Sequence, residues 1–299
     1  MADIPLHGSA EIHPALEMNT GTSIIPCIST MRGIAEYPIG NLPLVEHQRN
    51  VLAGTPIHAH PCAWLDPADF RDFIASGARV LADNAGAVLA WHGTGPDSGG
   101  SAHPATSSFL IVHPWDLLRA NEQWVSKLTE SSIEGDVHPS AVIEGVLWLG
   151  PGTRILPGVF IEGNAVIGAN CKIGPNCYIR GNTSIGDGCH IGQSVEIKNC
   201  LILPRTNVGH LSYVGDSVLG EKVNFGAGTT TSNLRHDGGN HRSLIDGRLI
   251  DTGRRKFGTI VGDGVHTGIH TSIYPGRKLW PGTTTLPGEI VKHDIEPHH

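Results

Sequence analysis

The chain has 299 residues, 39% of them hydrophobic, enough to bury a sizeable core in about two units. A formal net charge of -7 with no run of Lys or Arg argues against nucleic acid or an anionic membrane surface as partner. No apolar run approaches the roughly 20 residues that span a bilayer. The N-terminus lacks a basic segment followed by an apolar one, and the six cysteines form no C-x-x-C pair, so a small-molecule protein of the reduced cytoplasm is expected.

Turn residues and short apolar runs over residues 1–112 predict a small α/β unit. Within it Pro43 to Leu52 reads as a short helix, and Arg79 to Gly93 as a hairpin whose arms, Val80-Leu81 and Ala87 to Trp91, flank Asp83-Asn84-Ala85-Gly86. Residues 113–135 are predicted to link two domains. After Pro114-Trp115-Asp116, the residues Leu117, Leu118, Asn121, Trp124, Val125 and Leu128 recur at the spacing of an amphipathic helix.

The third segment, residues 136–299, starts its regular pattern at Val137-His138-Pro139-Ser140-Ala141. An aliphatic residue then falls on every sixth position: Ile143, Leu149, Ile155, Ile161, Ile167, Ile173, Ile179, Ile185, Ile191, Ile197 and Leu203. Neither a helix nor a sandwich strand has that period. Gly followed by Asn or Asp after the aliphatic residue, as in Ile167-Gly-Ala-Asn and Ile185-Gly-Asp-Gly, fits short strands joined by tight turns in a parallel β-helix. Three such strands make one coil of 18 residues. Side chains alternate along a strand, so the residues two before the aliphatic ones, Ala165, Cys171, Cys177, Thr183 and Cys189, should also face inward. After Leu203 the register slips by one at Val208. It resumes as Val261, Thr267, Ile273, Leu279, Thr285 and Val291, which leaves residues 235–255 as a projecting loop.

Two outward cations, Arg180 and Lys198, stand 18 residues apart and therefore one above the other on adjacent coils, roughly 4.8 Å apart. Such stacking is unfavourable unless an anion lies between or beside the pair; a substrate phosphate would serve, or else Glu162 and Glu196 supply the charge. Near the register slip, His210 could act near neutral pH as the general base that acyl transfer to nitrogen needs, or be a polar surface residue.

The Ile-Gly pairs at 167, 173, 185 and 191 resemble the hexapeptide repeat of left-handed β-helix acyltransferases, over about half the chain. That resemblance supplies the hand, which periodicity leaves open and which runs against the usual right-handed crossover. Glu196-Ile197-Lys198, then Gly209-His210-Leu211-Ser212-Tyr213-Val214-Gly215-Asp216, then Val223-Asn224-Phe225-Gly226-Ala227-Gly228-Thr229, then Ser232-Asn233 resemble, in order, the acetyltransferase domain of bifunctional N-acetylglucosamine-1-phosphate uridyltransferases. The resemblance implies His210 as base, Arg180, Glu196, Lys198, Tyr213 and Asn224 around the sugar phosphate, and Ala227 and Asn233 beside acetyl-CoA. The family's tyrosine and lysine after the asparagine are Leu234 and Gly239 here, with Lys256 the candidate substitute, and Ile269 stands for a serine near coenzyme A. Further back, Gly40-Asn41-Leu42-Pro43-Leu44-Val45-Glu46-His47 and His113 to Leu118 resemble segments of sugar-1-phosphate nucleotidyltransferases, while the phosphate-cradling G-x-G-T-R loop and its P-K are absent.

The fold implied is mainly β, a left-handed parallel β-helix preceded by a small degenerate α/β domain. The activity implied is acetyl-CoA-dependent N-acetylation of an amino sugar 1-phosphate in nucleotide-sugar biosynthesis, by a metal-free cytoplasmic homotrimer that has lost nucleotidyl transfer. Two other readings compete. One is a non-catalytic trimeric sugar-phosphate sensor or scaffold. The other is a γ-carbonic-anhydrase-like zinc enzyme, drawing on His210, His236, His241, His266 or His270.

Overall fold

In the computed structural model, which describes residues 25–96 and 100–297, the six-residue period builds a parallel β-helix with three faces. The first sheet has six strands, Asp136–Val137 to Asn224–Phe225. The second and third have eight each, from Val142–Glu144 to Ile290–Val291 and from Ser132–Ile133 to Arg277–Leu279. Every strand pairs in parallel with its counterpart one coil on, as Tyr178–Arg180 does with Glu196–Lys198. The first strand of the third sheet, Ser132–Ile133, pairs with Trp148-Leu149, so the coil begins just before the expected segment.

The interior is a column of Ile, Leu and Val, with Cys171, Cys177, Cys189 and Cys200 where a narrow prism needs small side chains. All six cysteines are free and buried. In the last coils threonines replace aliphatics and satisfy one another, Thr229 with Thr267 at 2.9 Å and Thr271 with Thr285 at 2.8 Å.

One expectation about this column is corrected. The register slips before Leu203, because Ile185 pairs with Ile202 and Ile202 occupies the interior. A second slip separates Val214 from Leu219. Both fall at the corner between the second and third sheets, where Asn199 and Asp216 replace a longer turn such as Gly181-Asn182. Leu203 points outward and is nevertheless buried, together with Leu201 and Val218, beneath the front of the chain. A sheet covered on both faces reads as a continuous apolar run, which hides its register.

The cover is built as follows. Helix α1 spans Leu44–Leu52, as predicted. The expected hairpin forms from Val80–Ala82 and Val88–His92, inside a four-stranded sheet with Ile57–Ala59 and Ala102–Pro104. Helix α2, Pro67–Ser76, was not anticipated, although Asp66 caps it through the Ala68 N–H at 2.9 Å, Pro67 starts it, and Gly77 ends it at φ 65°. Asp69 on α2 is buried and accepts from the backbone N–H groups of Thr106, Ser107 and Ser108 and from the Thr106 hydroxyl. Burial alone would raise its pKa, but these donors outweigh it and bring the group to about 2. Its contribution to stability is therefore present above the ordinary carboxylate range and lost as pH falls toward 2. Asp69→Asn should lower the melting temperature at pH 7 and flatten its decline between about pH 4 and 2, measured by calorimetry.

Helix α3, Pro114–Val125, lies flat on the third sheet and buries Leu117, Leu118, Ala120 and Val125. Asn121 is fully buried: its Oδ1 accepts from the Gly40 N–H at 3.0 Å and the Ser184 hydroxyl at 2.7 Å, and its Nδ2 donates to the Asn182 carbonyl at 3.2 Å. Gly40 has φ 56°, and a Cβ there would meet the Trp124 ring at 2.1 Å. Asn41 Nδ2 donates to the Ile185 carbonyl at 2.7 Å. The Gly40-Asn41 segment is thus a joint between helix and coil.

Residues 235–255 do not simply project. Arg242–Ile245 and Arg248–Asp251 form an antiparallel hairpin whose Ile245 and Ile250 pack against the cluster around Trp115 and Phe257. Buried Lys278 anchors it, donating to the Ser243 hydroxyl at 3.2 Å and the Leu244 carbonyl at 2.7 Å while pairing with Asp294 at 2.6 Å. An apolar hairpin needs cover, and the nearest is the front unit. Among the described residues no helix is long and apolar enough to cross a membrane.

Candidate active site

The third sheet is covered; the first and second are open, and the predicted site residues stand on them. The corner from first to second sheet repeats along the coil as Gly192-Gln193-Ser194, Gly209-His210-Leu211, Gly226-Ala227-Gly228 and Gly268-Ile269-His270. The last residue of each has positive φ, from 54° at Ser194 to 72° at Gly228. Gly209 is required there, since a Cβ would lie 2.6 Å from the Phe225 carbonyl oxygen of the next coil. Leu211 holds φ 62° without being glycine, a strain of roughly 1 kcal/mol, while 64% exposed. That corner aims His210 into solvent. Its carbonyl accepts from the Gly228 N–H at 2.9 Å, which stacks Ala227 directly above it.

His210 lines an open groove of about 570 Å³ with Asn224, Asn207, Gln193, His190 and Lys172. The pKa of His190 is lowered by burial and by the neighbouring Lys172 charge. Leu234 lines a second opening, about 520 Å³, with His236 and Tyr274 at the foot of the hairpin. Lys256 pairs with Leu234 in an isolated antiparallel bridge there, its side chain exposed.

Farther along the second sheet from His210, level with Gly215, lies the cation cluster. Arg180 and Lys198 are in register on adjacent strands, as their spacing predicts, and so are Glu196 and Tyr213. Arg180 pairs with Glu196 at 2.7 Å. The counter-charge of Lys198 is Asp216, at 3.0 Å, and the carboxylate of Glu162 is taken by the Tyr178 hydroxyl. Asp216 is buried and central: its Oδ2 also accepts from Asn233 Nδ2 at 2.5 Å and its Oδ1 from Asn199 Nδ2 at 3.1 Å. Asn233 Nδ2 further donates to the Tyr213 hydroxyl oxygen at 3.0 Å. Burial, followed by the Asp216 and Glu196 charges, pushes the Tyr213 phenol up to about 12, so it stays a neutral hydrogen-bonding group.

The structure therefore brings Arg180, Glu196, Lys198, Tyr213 and Asn233 together on the second sheet, and sets His210 and Ala227 at the corner between the first and second sheets, with Asn224 on the first. Asn233, which resemblance put beside acetyl-CoA, sits in the cation cluster. Asp216 and Asn199 were not singled out from sequence. Each directly follows a strand at a corner one residue short, a signal readable only once the interior row is known. Of the candidate zinc ligands, His241 is buried, with Nε2 3.1 Å from the Asn233 carbonyl oxygen and its pKa lowered chiefly by burial. Among the described residues no group of three or more His, Cys, Asp or Glu side chains is placed to hold a metal ion.

Fold and sequence together define a hexapeptide-repeat parallel β-helix. Residues 161–277 match the family model of the GMPPB C-terminal domain. The C-terminal part of the chain is homologous to bifunctional GlmU-type proteins. It is 50% identical over 188 residues to the bifunctional protein GlmU of Methanococcus maripaludis, covering 62% of this chain and 45% of that one. It is 39% identical over 185 residues to a bifunctional sugar-1-phosphate nucleotidylyltransferase/acetyltransferase of Sulfurisphaera tokodaii, covering 62% and 46%. The match thus spans less than half the length of these relatives. Among solved structures, a hexapeptide transferase family protein from Anaplasma phagocytophilum aligns over 52% of this chain and 71% of its own, at 16% identity and a TM-score of 0.26.

Proposed function

We propose that the protein transfers an acetyl group from acetyl-CoA to the amine of an amino sugar 1-phosphate. The observation that carries this reading is the cluster on the second sheet: two cations, each neutralised by its own carboxylate, Arg180 about one third exposed and Lys198 largely buried, beside hydrogen-bonding groups at Tyr213 and Asn233. An incoming phosphate would gain charge-assisted hydrogen bonds from Arg180 and Lys198 without meeting bare like-charge repulsion between them. The names of the relatives, which include an acetyltransferase acting with a sugar-1-phosphate nucleotidylyltransferase, point the same way.

In this mechanism His210 takes a proton from the sugar amine as its nitrogen attacks the thioester carbonyl. A backbone donor beside Ala227 stabilises the tetrahedral oxyanion, which collapses with loss of the coenzyme A thiolate. His210 stands at the corner before the second sheet and the cations at the far ends of its strands, so a homotrimer, in which a neighbour's sheet faces this one, would complete the site. The test is thiol release from acetyl-CoA over a panel of hexosamine 1-phosphates, with and without a chelator. Turnover that survives chelation is expected. Loss of turnover on chelation together with stoichiometric zinc would favour the carbonic-anhydrase-like alternative, and binding without turnover the sugar-phosphate sensor.

A further inference from the structure

The cation cluster does not end at the β-helix. Asn199 Nδ2 donates both to Asp216 Oδ1, at 3.1 Å, and to Oε1 of Glu122 on α3. The same Glu122 carboxylate receives the Arg254 guanidinium, which comes from the foot of the hairpin, with Nη1 2.9 Å from Oε2 and a second contact from Nη2 to Oε1. Both partners are largely buried, their side chains 15% and 25% exposed for Arg254 and Glu122.

We propose that Glu122 and Arg254 are positioning residues: they hold Asn199 so that Asp216 orients the Lys198 ammonium toward the ligand. This rests on the sugar phosphate reading given above. The front unit then has a role in the site although it supplies no group to the ligand.

Three features favour positioning over simple adhesion. First, both amide hydrogens of Asn199 are used, one toward Glu122 and one toward Asp216, which makes it a connector. Second, Asn199 and Asp216 stand at the two shortened corners, and the Asp216 backbone is fixed on both sides, donating to the Lys198 carbonyl at 2.7 Å and accepting from the Gly258 N–H at 2.8 Å. Asp216 takes one of the three Lys198 N–H bonds and so sets the direction of the others. Third, α3 already docks through Leu117, Leu118 and Asn121. A desolvated ion pair adds little to such an interface that apolar contact would not.

A charge swap separates the two roles. In Glu122→Arg/Arg254→Glu the ion pair is restored, but an arginine at 122 cannot accept from Asn199. Calorimetric titration with glucosamine 1-phosphate, together with melting temperatures, is the measurement. Glu122→Ala and the swap should each weaken binding about tenfold, with KM for the sugar phosphate rising and KM for acetyl-CoA unchanged. The swap should regain the melting temperature lost in Glu122→Ala and none of the binding. Glu122→Gln, which keeps an acceptor, should bind within about twofold of wild type. Should Glu122→Ala fail to fold, Asn199→Ala, at the β-helix corner, replaces it with the same expected loss. Recovery of binding by the swap, or unchanged binding in Asn199→Ala, overturns the positioning role while leaving the functional reading intact. Absence of binding by the wild-type protein overturns that reading and this inference with it.

Discussion

Alanine in place of His210 should lower the rate of acyl transfer by about 10² to 10⁴ and leave the fold unchanged. Among the described residues its imidazole has no hydrogen-bond partner, and the side chain is exposed on a corner whose geometry is set by Gly209 and Leu211. Its removal should therefore change stability by no more than about 0.5 kcal/mol. His190 shares the groove and offers a control, since His190→Ala should keep most of the rate. Equal rates in His210→Ala and wild type would end the assignment.

The coil was legible in the sequence because a prism interior is uniform: each inward position asks for the same kind of side chain, so the period survives in Ile155 to Ile197 without any knowledge of neighbours. Stacking of Arg180 over Lys198 was legible for the same reason, 18 residues being one coil. Leu203 was misread because the third sheet is apolar on both faces. The two shortened corners were harder, since a one-residue deletion is invisible unless the interior row is already known, and they carry Asn199 and Asp216. Helix α2 has a cap, a proline start and a glycine stop, so its signal is local and lies outside any period. Glu122 and Arg254 could not have been found at all. Their meeting joins residues 132 positions apart, and no spacing rule relates a front helix to a hairpin inserted in the coil.

Lys198→Ala should destabilise the protein where Arg180→Ala does not, although both should weaken binding of an amino sugar phosphate about tenfold or more. From sequence the two cations look equivalent, and removing either should relieve repulsion. Their partners make them different. Lys198 and Asp216 have side chains 15% and 4% exposed, so alanine at 198 leaves a buried carboxylate with amide donors alone, at a cost of about 3 kcal/mol. Arg180 and Glu196 are about one third exposed, and an ion pair in that setting contributes roughly 0–1 kcal/mol. The asymmetry also identifies its own cause. In Lys198→Met/Asp216→Asn the unpaired carboxylate is gone, so stability should return toward wild type while phosphate binding stays lost. Thermal melts and titration calorimetry on the four proteins decide between the readings. If Lys198→Ala melts early and neither it nor the wild type binds any hexosamine 1-phosphate, the cluster is a structural ion-pair network on a scaffold, and the phosphate clamp is excluded.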